Sequence, residues 1–318
     1  MTAAPHAPQL PSETRKDGAF VRQQNAFRDR ITADGSSGYK AEPGRYHLYV
    51  SLACPWAHRA VIVRRLMGLE DVISLSVVDP IRDERGWAFR DGPGHSTDPV
   101  NGFHFLSEAY HATDPTVEGR YTVPALWDRA TRRIVTNDYP ELTTQFETAF
   151  AALATADSDL YPARLREEID AVNRVVYEDV NNGVYKAGFA ETQAAYEAAF
   201  DTLFARLDWL DERLSRQRYL VGNALTEADV RLFTTLVRFD AVYYVHFKCN
   251  LRRLVDYPNL WPYARDLFQT PGLGDTVNFD HIKRHYYMTH DKLNPTRLVP
   301  KGPAMDWLAP HDRSTVGQ

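Results

Sequence analysis

The chain has 318 residues, 44% hydrophobic and 25% charged, with a formal net charge of -5 and a pI near 6.1. That composition suits two ordinary packed domains, and the acidic balance without a basic stripe argues against nucleic acid as a partner. No apolar run approaches the roughly 20 residues that span a bilayer, so no membrane partner is expected. The two cysteines, Cys54 and Cys249, are too few for a disulfide scaffold or a multi-cysteine zinc site.

The opening "MTAAPHAPQLPSETRKDG" is polar and proline-bearing, without the apolar centre of a signal peptide. Residues 1–40 read as a tail, and the expected location is the cytoplasm. "RYHLYVSLAC" alternates as a strand does, and its turn falls at Ser51–Cys54. "PWAHRAVIVRRLMGL" then shows helical spacing, with Gly68 where a helix would stop. "VISLSVV" (72–78) is a second, buried strand, so the three elements form a βαβ unit with parallel strands. Residues 80–119 hold no period and read as a long loop, in which Trp87 and Phe89 argue for packing on something. "YTVPALWD" and "RRIVTND" read as a hairpin, and "YPELTTQFETAF" starts a helix with Pro140 near its first turn.

From about residue 160 the patterning is helical. Ile169, Val172, Val176 and Val180 share one face, as do Tyr196, Phe200, Leu203, Leu207, Leu210 and Leu214. Thr226-x-x-Asp229 is a capping box ahead of an apolar run. The expected architecture is α/β then all-α. Its parts are a tail over 1–40, an α/β domain over 41–155 with the 80–119 insertion, a helical domain over 156–290, and a tail over 291–318.

Cys54 stands just ahead of a helix, where unpaired N–H groups and the positive end of the helix dipole favour thiolate over thiol. Pro55 costs nothing there, because the first helical N–H has no partner. The residue alone equally fits a small buried hydrophobe. The second clue is "TVPAL": a proline opening a strand after a βαβ unit is how thioredoxin-like folds set a cis-proline beside an active cysteine. Val123–Pro124 is then the candidate, with the Val123 backbone free to pair with a peptidic thiol. Position 57 is Ala, so the motif is C-P-W-A with no adjacent resolving cysteine, and a disulfide at Cys54 must be cleared by a thiol from solution.

These features resemble the glutathione transferase superfamily. "SLACPWAHRAVIVRRLMGLE", "GWAF", "TVPALWD", "NNGVYKAGFA" and "FDHIKRHYY", in that order over roughly 40–290, resemble its Xi class, the glutathionyl-hydroquinone reductases. The resemblance implies that Cys54 attacks the sulfur of a thiol–hydroquinone conjugate and that a second thiol molecule resolves the mixed disulfide. It implies that Trp87 packs on the thiol co-substrate, that Tyr185 and Tyr286 line the quinone site, and that the protein is a homodimer. Phenol hydroxyls suit that role, since carbon–sulfur cleavage needs proton donors at the ring oxygens.

The family carries Glu-Ser after the fourth strand to hold the γ-glutamyl end of glutathione; here Asp138 and Tyr139 take those places. Asp138 can still accept hydrogen bonds, but Tyr139 puts a ring where a short hydroxyl belongs. The expectation is that mycothiol, a cysteine on a sugar–inositol used by some bacteria that lack glutathione, is favoured over glutathione. Arg120 is a candidate partner for a carboxylate or hydroxyl of the thiol, or else a solvated strand-end charge. His281 and His285 have the i, i+4 spacing of some metal pairs but no third ligand in view, so no metal is expected. Cys249 reads as buried, though Lys248 and two arginines nearby are compatible with a reactive thiol. The alternatives are another cysteine-type transferase, reducing mixed disulfides or dehydroascorbate, and a non-catalytic transferase-like binding module.

Overall fold

A computed structural model describes residues 13–317; positions 1–12 of the expected tail lie outside the described residues. The elements in chain order are β1 (Tyr46–Val50), α1 (Pro55–Leu66), β2 (Ile73–Val77), α2 (Leu106–Thr113), β3 (Ala125–Asp128), β4 (Arg133–Thr136) and α3 (Tyr139–Ala149). Then follow α4 (Arg166–Val176), α5 (Gly183–Gly188), α6 (Gln193–Leu214), α7 (Glu227–Arg238), α8 (Tyr244–His246), α9 (Leu260–Gln269) and α10 (Phe279–Thr289). The chain forms two compact units. One comprises Gln23–Asp159 and Asn278–Asp291; the other comprises Leu160–Val277 with the described parts of Ser12–Arg22 and Lys292–Gln318. Residues 278–290, grouped by sequence with the helical half, thus belong to the first unit.

The first unit is built on a four-stranded sheet in the order β2-β1-β3-β4. β1 runs parallel to β2, with Leu48 opposite Leu75, and antiparallel to β3, with Leu48 opposite Leu126. Every residue of β1 is buried, as expected of a strand covered on both faces. The β3–β4 turn is fastened by Asp128, whose carboxylate accepts from Arg45 Nε (2.9 Å) and Nη2 (2.8 Å), Thr131 Oγ1 (2.8 Å) and the Ala130 N–H (3.0 Å). Burial works to raise this carboxyl, and the Arg45, Thr131 and Ala130 hydrogen bonds outweigh it, so its pKa lies below the ordinary value.

Two parts of this unit depart from the sequence reading. α2 lies inside the stretch read as loop. It is only eight residues long, with Leu106, Ala109 and Tyr110 buried, too short for its period to register. Its start is fixed by Glu108, which accepts from the N–H groups of His104 and Phe105, both at 2.9 Å. The segment following Gln23, read as tail, is a strap along the outer edge of β4. Arg28 bridges Thr136 antiparallel, Phe27 N–H donates to Asn137 Oδ1 (2.8 Å), and Ile31 N–H donates to Gln145 Oε1 (2.9 Å). The strap satisfies an edge that would otherwise expose unpaired backbone groups.

The second unit is helical. α4 continues into α5, and α7 into α8, through widened turns at Tyr177–Asn181 and Phe239–Tyr243. Asp229 forms the expected capping box with Thr226, accepting from its N–H and Oγ1 at 2.9 Å each, and also accepts from Leu220 N–H (2.8 Å) and Tyr263 OH (2.7 Å). The C-terminal tail, whose role the sequence left open, docks on this unit. Trp307 stacks on Phe268 (4.9 Å between centroids), and the fully buried Arg313 donates to the carbonyls of Leu214 (2.7 Å) and Arg218 (3.0 Å). Among the described residues no helix is long and apolar enough to cross a membrane.

Replacing Asp229 by Ala strands four buried donors, and we expect a loss of about 2–4 kcal/mol in denaturant unfolding. Cys249 is fully buried near the Val184 and Phe247 carbonyls, and burial pushes its thiol up, against the weaker opposing effect of Lys248. Iodoacetamide should therefore label native protein at Cys54 and reach Cys249 more than about a hundredfold more slowly, the difference vanishing in denaturant.

Candidate functional site

β1 ends in a tight turn that delivers Cys54 to the start of α1. Ser51 Oγ accepts from the Ala53 N–H (3.3 Å), and the Ser51 carbonyl accepts from the Cys54 N–H (3.1 Å). Cys54 is the N-cap residue with extended backbone (φ -76°, ψ 120°), Pro55 is the first helical residue, and the Cys54 carbonyl receives the His58 N–H at 3.0 Å. The thiol is half-buried, unlike that of Cys249. It points to β3's approach: Sγ lies 3.4 Å from the Val123 carbonyl, and the Val123–Pro124 bond is cis. Of the residues that the sequence pairs with Cys54, Val123 is thus in direct contact through its carbonyl.

Thr122, the residue before Val123, is held at both backbone groups by one phenol. Tyr110 OH donates to the Thr122 carbonyl (2.8 Å) and accepts from the Thr122 N–H (3.1 Å). Asn137 adds a hydrogen bond to Thr122 Oγ1 at 2.9 Å. Burial pushes the Tyr110 phenol up to about 12, so it stays a protonated donor. Arg120 is fixed likewise through its backbone. Its N–H donates to Gln23 Oε1 and its carbonyl accepts from Gln23 Nε2, both at 3.0 Å.

Tyr139 and Asp138 open α3. The Tyr139 ring packs on Trp56 of the C-P-W-A motif (4.6 Å, 35°), and the Arg59 guanidinium lies 4.7 Å from the same indole. Asp138 is 6% exposed and engaged by the strap: Oδ1 accepts from Asn25 Nδ2 (2.9 Å) and Oδ2 from Arg28 Nε (3.3 Å). The carboxylate the sequence offered to a thiol's hydroxyls therefore already ties the strap to α3.

Trp87 is 4% exposed and stacks on His285 of α10 (4.9 Å, 23°). Tyr286, the next residue, is 1% exposed, with its ring edge-on to His285 (5.3 Å) and His290 (5.4 Å). All these residues belong to the first unit. Tyr185 belongs to the second, on α5, in an aromatic cluster with Phe247 (5.3 Å), Phe189 (6.0 Å) and Tyr243 (6.0 Å), and with the Arg22 guanidinium 4.6 Å from its ring. Among the described residues no group of three or more His, Cys, Asp or Glu is arranged to hold a metal ion. The sequence reading missed Tyr110, Asn137, Gln23 and Asn25, whose hydrogen bonds carry no local motif. His281 and His285 did carry one, an i, i+4 spacing, but both rings bond to backbone carbonyls.

Residues 53–144 match the model of the glutathione S-transferase N-terminal domain, and residues 193–266 that of the C-terminal domain. The chain is 50% identical over 303 residues to the glutathionyl-hydroquinone reductase YqjG of Escherichia coli, covering 93% of this chain and 92% of that one. It is 50% identical to the glutathionyl-hydroquinone reductase PcpF of Sphingobium chlorophenolicum, over 90% of each chain. The glutathione-bound structure of YqjG superposes with a TM-score of 0.88 over 94% of this chain and 98% of that one, at 49% identity. The Xi glutathione transferase of Phanerochaete chrysosporium gives 0.92 over 97% and 99%, at 48% identity. A thioredoxin-like unit with its cysteine at a helix start, a second, helical unit and these likenesses along nearly the whole chain make one statement: this chain belongs to the Xi class of glutathione transferases, the enzyme family of the glutathionyl-hydroquinone reductases.

Proposed function

We propose that the protein reduces thiol–hydroquinone conjugates through a mixed disulfide at Cys54. The observation that carries this reading is the Cys54 thiol at the N-cap of α1, 3.4 Å from the carbonyl that precedes a cis-proline. The helix N-terminus favours the thiolate, and the neighbouring backbone suits pairing with a peptidic thiol. In the first step the Cys54 thiolate attacks the conjugate's sulfur. A sulfur–sulfur bond forms as the aryl carbon–sulfur bond breaks, and the electron pair passes to the ring carbon, which takes up a proton to give the free hydroquinone. In the second step a free thiol attacks the mixed disulfide, releasing the symmetrical disulfide and the Cys54 thiolate. Tyr286 and Tyr185 are assigned to the ring oxygens, as donors that stabilise the keto form from which sulfur leaves. Trp87, Arg120, Val123 and Pro124 are assigned to the thiol moiety.

The thiol we assign is mycothiol. Tyr139 stands where the family holds a γ-glutamyl carboxylate with a small hydroxyl, and the Asp138 carboxylate is already engaged by Asn25 and Arg28. Neither favours a γ-glutamyl group, whereas an aromatic side chain beside Trp56 suits a sugar face. We further propose that the protein is a cytoplasmic homodimer; the family resemblance supports the dimer, which sedimentation of the purified protein tests directly.

Intact-mass spectrometry after adding mycothionyl- or glutathionyl-menadiol without free thiol tests the reaction. The expected outcome is a gain of one thiol moiety from the mycothionyl conjugate, absent in Cys54→Ala, whose turnover falls about a thousandfold or more. Adduct from the glutathionyl conjugate alone would overturn the thiol assignment. No adduct from either would favour a mixed-disulfide or dehydroascorbate reductase, or a non-catalytic module. Tyr139→Ser should lower KM for the glutathionyl conjugate about tenfold, as expected of one restored charge-assisted hydrogen bond.

A further inference from the structure

Two histidines on α10 have no part in the chemistry above. His281 is fully buried, and its Nε2 lies 2.7 Å from the Pro93 carbonyl. His285, one turn on, places Nδ1 at 2.8 Å from the Pro80 carbonyl. A carbonyl only accepts, so each contacting nitrogen carries the hydrogen, and the acceptors assign opposite donor nitrogens to the two rings. His285 also stacks on Trp87, and the Arg82 guanidinium lies 5.6 Å from the indole centroid. The loop side is shaped to match. Gly94 has φ +79°, and a Cβ there would lie 3.0 Å from His281 Nε2 and 3.1 Å from Asn278 Nδ2. Only glycine lets that turn approach the helix so closely without strain.

We propose that His281 and His285 are positioning residues that clasp the 80–94 loop onto α10 and thereby fix the Trp87 indole for the thiol moiety. The link to Trp87 rests on the thiol-site assignment above; the clasp itself does not. Much of this stretch is irregular and would open locally without such ties, and a binding group is effective only when its support holds it within about 0.5 Å. The i, i+4 spacing that suggests a metal pair serves here to reach two carbonyls 13 residues apart on one loop, at Pro80 and Pro93.

Arg85 and Arg90 are exposed within the clasped loop, so trypsin reports its opening without reference to activity. The test compares His281→Leu, His281→Gln and Gly94→Ala with the parent. The readouts are initial tryptic cleavage after Arg85 and Arg90, thermal melting, and the KM and kcat for the resolving thiol. His281→Leu and Gly94→Ala should raise cleavage at least fivefold below the melting temperature. They should also raise the thiol KM at least fivefold with kcat within twofold. His281→Gln, which keeps a donor near the position of Nε2, should restore both. Unchanged cleavage in His281→Leu and Gly94→Ala would overturn the clasp, and faster cleavage with an unchanged thiol KM would overturn its role at Trp87. If the parent turns over neither conjugate, the functional reading fails separately, and the cleavage comparison alone upholds or overturns the clasp.

Discussion

β1 is hydrogen-bonded along both edges, parallel to β2 and antiparallel to β3, and this double pairing decides where the Cys54 sulfur can lie. A strand fixed on both sides cannot slip, since a shift of one residue would turn its buried face outward. Its end is therefore a fixed point, and the Ser51 turn carries that point into α1. Because β3 is β1's neighbour, the segment entering β3 must pass beside the same end. The contact of Cys54 with the Val123 carbonyl follows from strand order. An α-helix starting at that place adds its dipole to the sulfur at no cost to the sheet.

Around that point the molecule satisfies backbone groups with side chains drawn from distant sequence. Tyr110 occupies both backbone groups of Thr122, and Gln23 both of Arg120. The strand approaching Val123 is thus held on one side by a phenol and a primary amide, each acting as donor and acceptor at once. Such pairings spare the buried backbone an unmet hydrogen bond, and they leave little freedom in the residues leading to Pro124.

The strands, α1 and the Thr226–Asp229 capping box were legible because each is encoded within a dozen residues. So was the approach of Val123 to Cys54, since a proline opening a strand after a βαβ unit is the pattern of thioredoxin-like folds. What escaped is encoded at long range. α2 is too short to show a period, and its Glu108 cap looks like any surface acid in the sequence. Asp138 read as an available acceptor because Asn25 and Arg28, its actual partners, lie 113 and 110 residues away. The docked tail was equally unreadable. Trp307 and Arg313 sit among prolines and polar residues, and only the packed Phe268 and the open carbonyls near Leu214 give them a place.

The unit that carries Cys54 is discontinuous: its main body ends at Asp159, and its last element, α10, arrives from Asn278 onward. On a ribosome this sets an order of events. The sheet and α1 emerge early and can form, whereas the histidines that hold the 80–94 loop emerge only after the whole helical body of the second unit has been made. At about 5–20 residues per second, the interval between the two is many seconds. For that time a nascent chain carries the sheet and the Cys54 helix start with the 80–94 loop still without its fastening, and a chain released early never acquires it. Synthesis itself thus makes completion of the loop the last event in building the cysteine's domain.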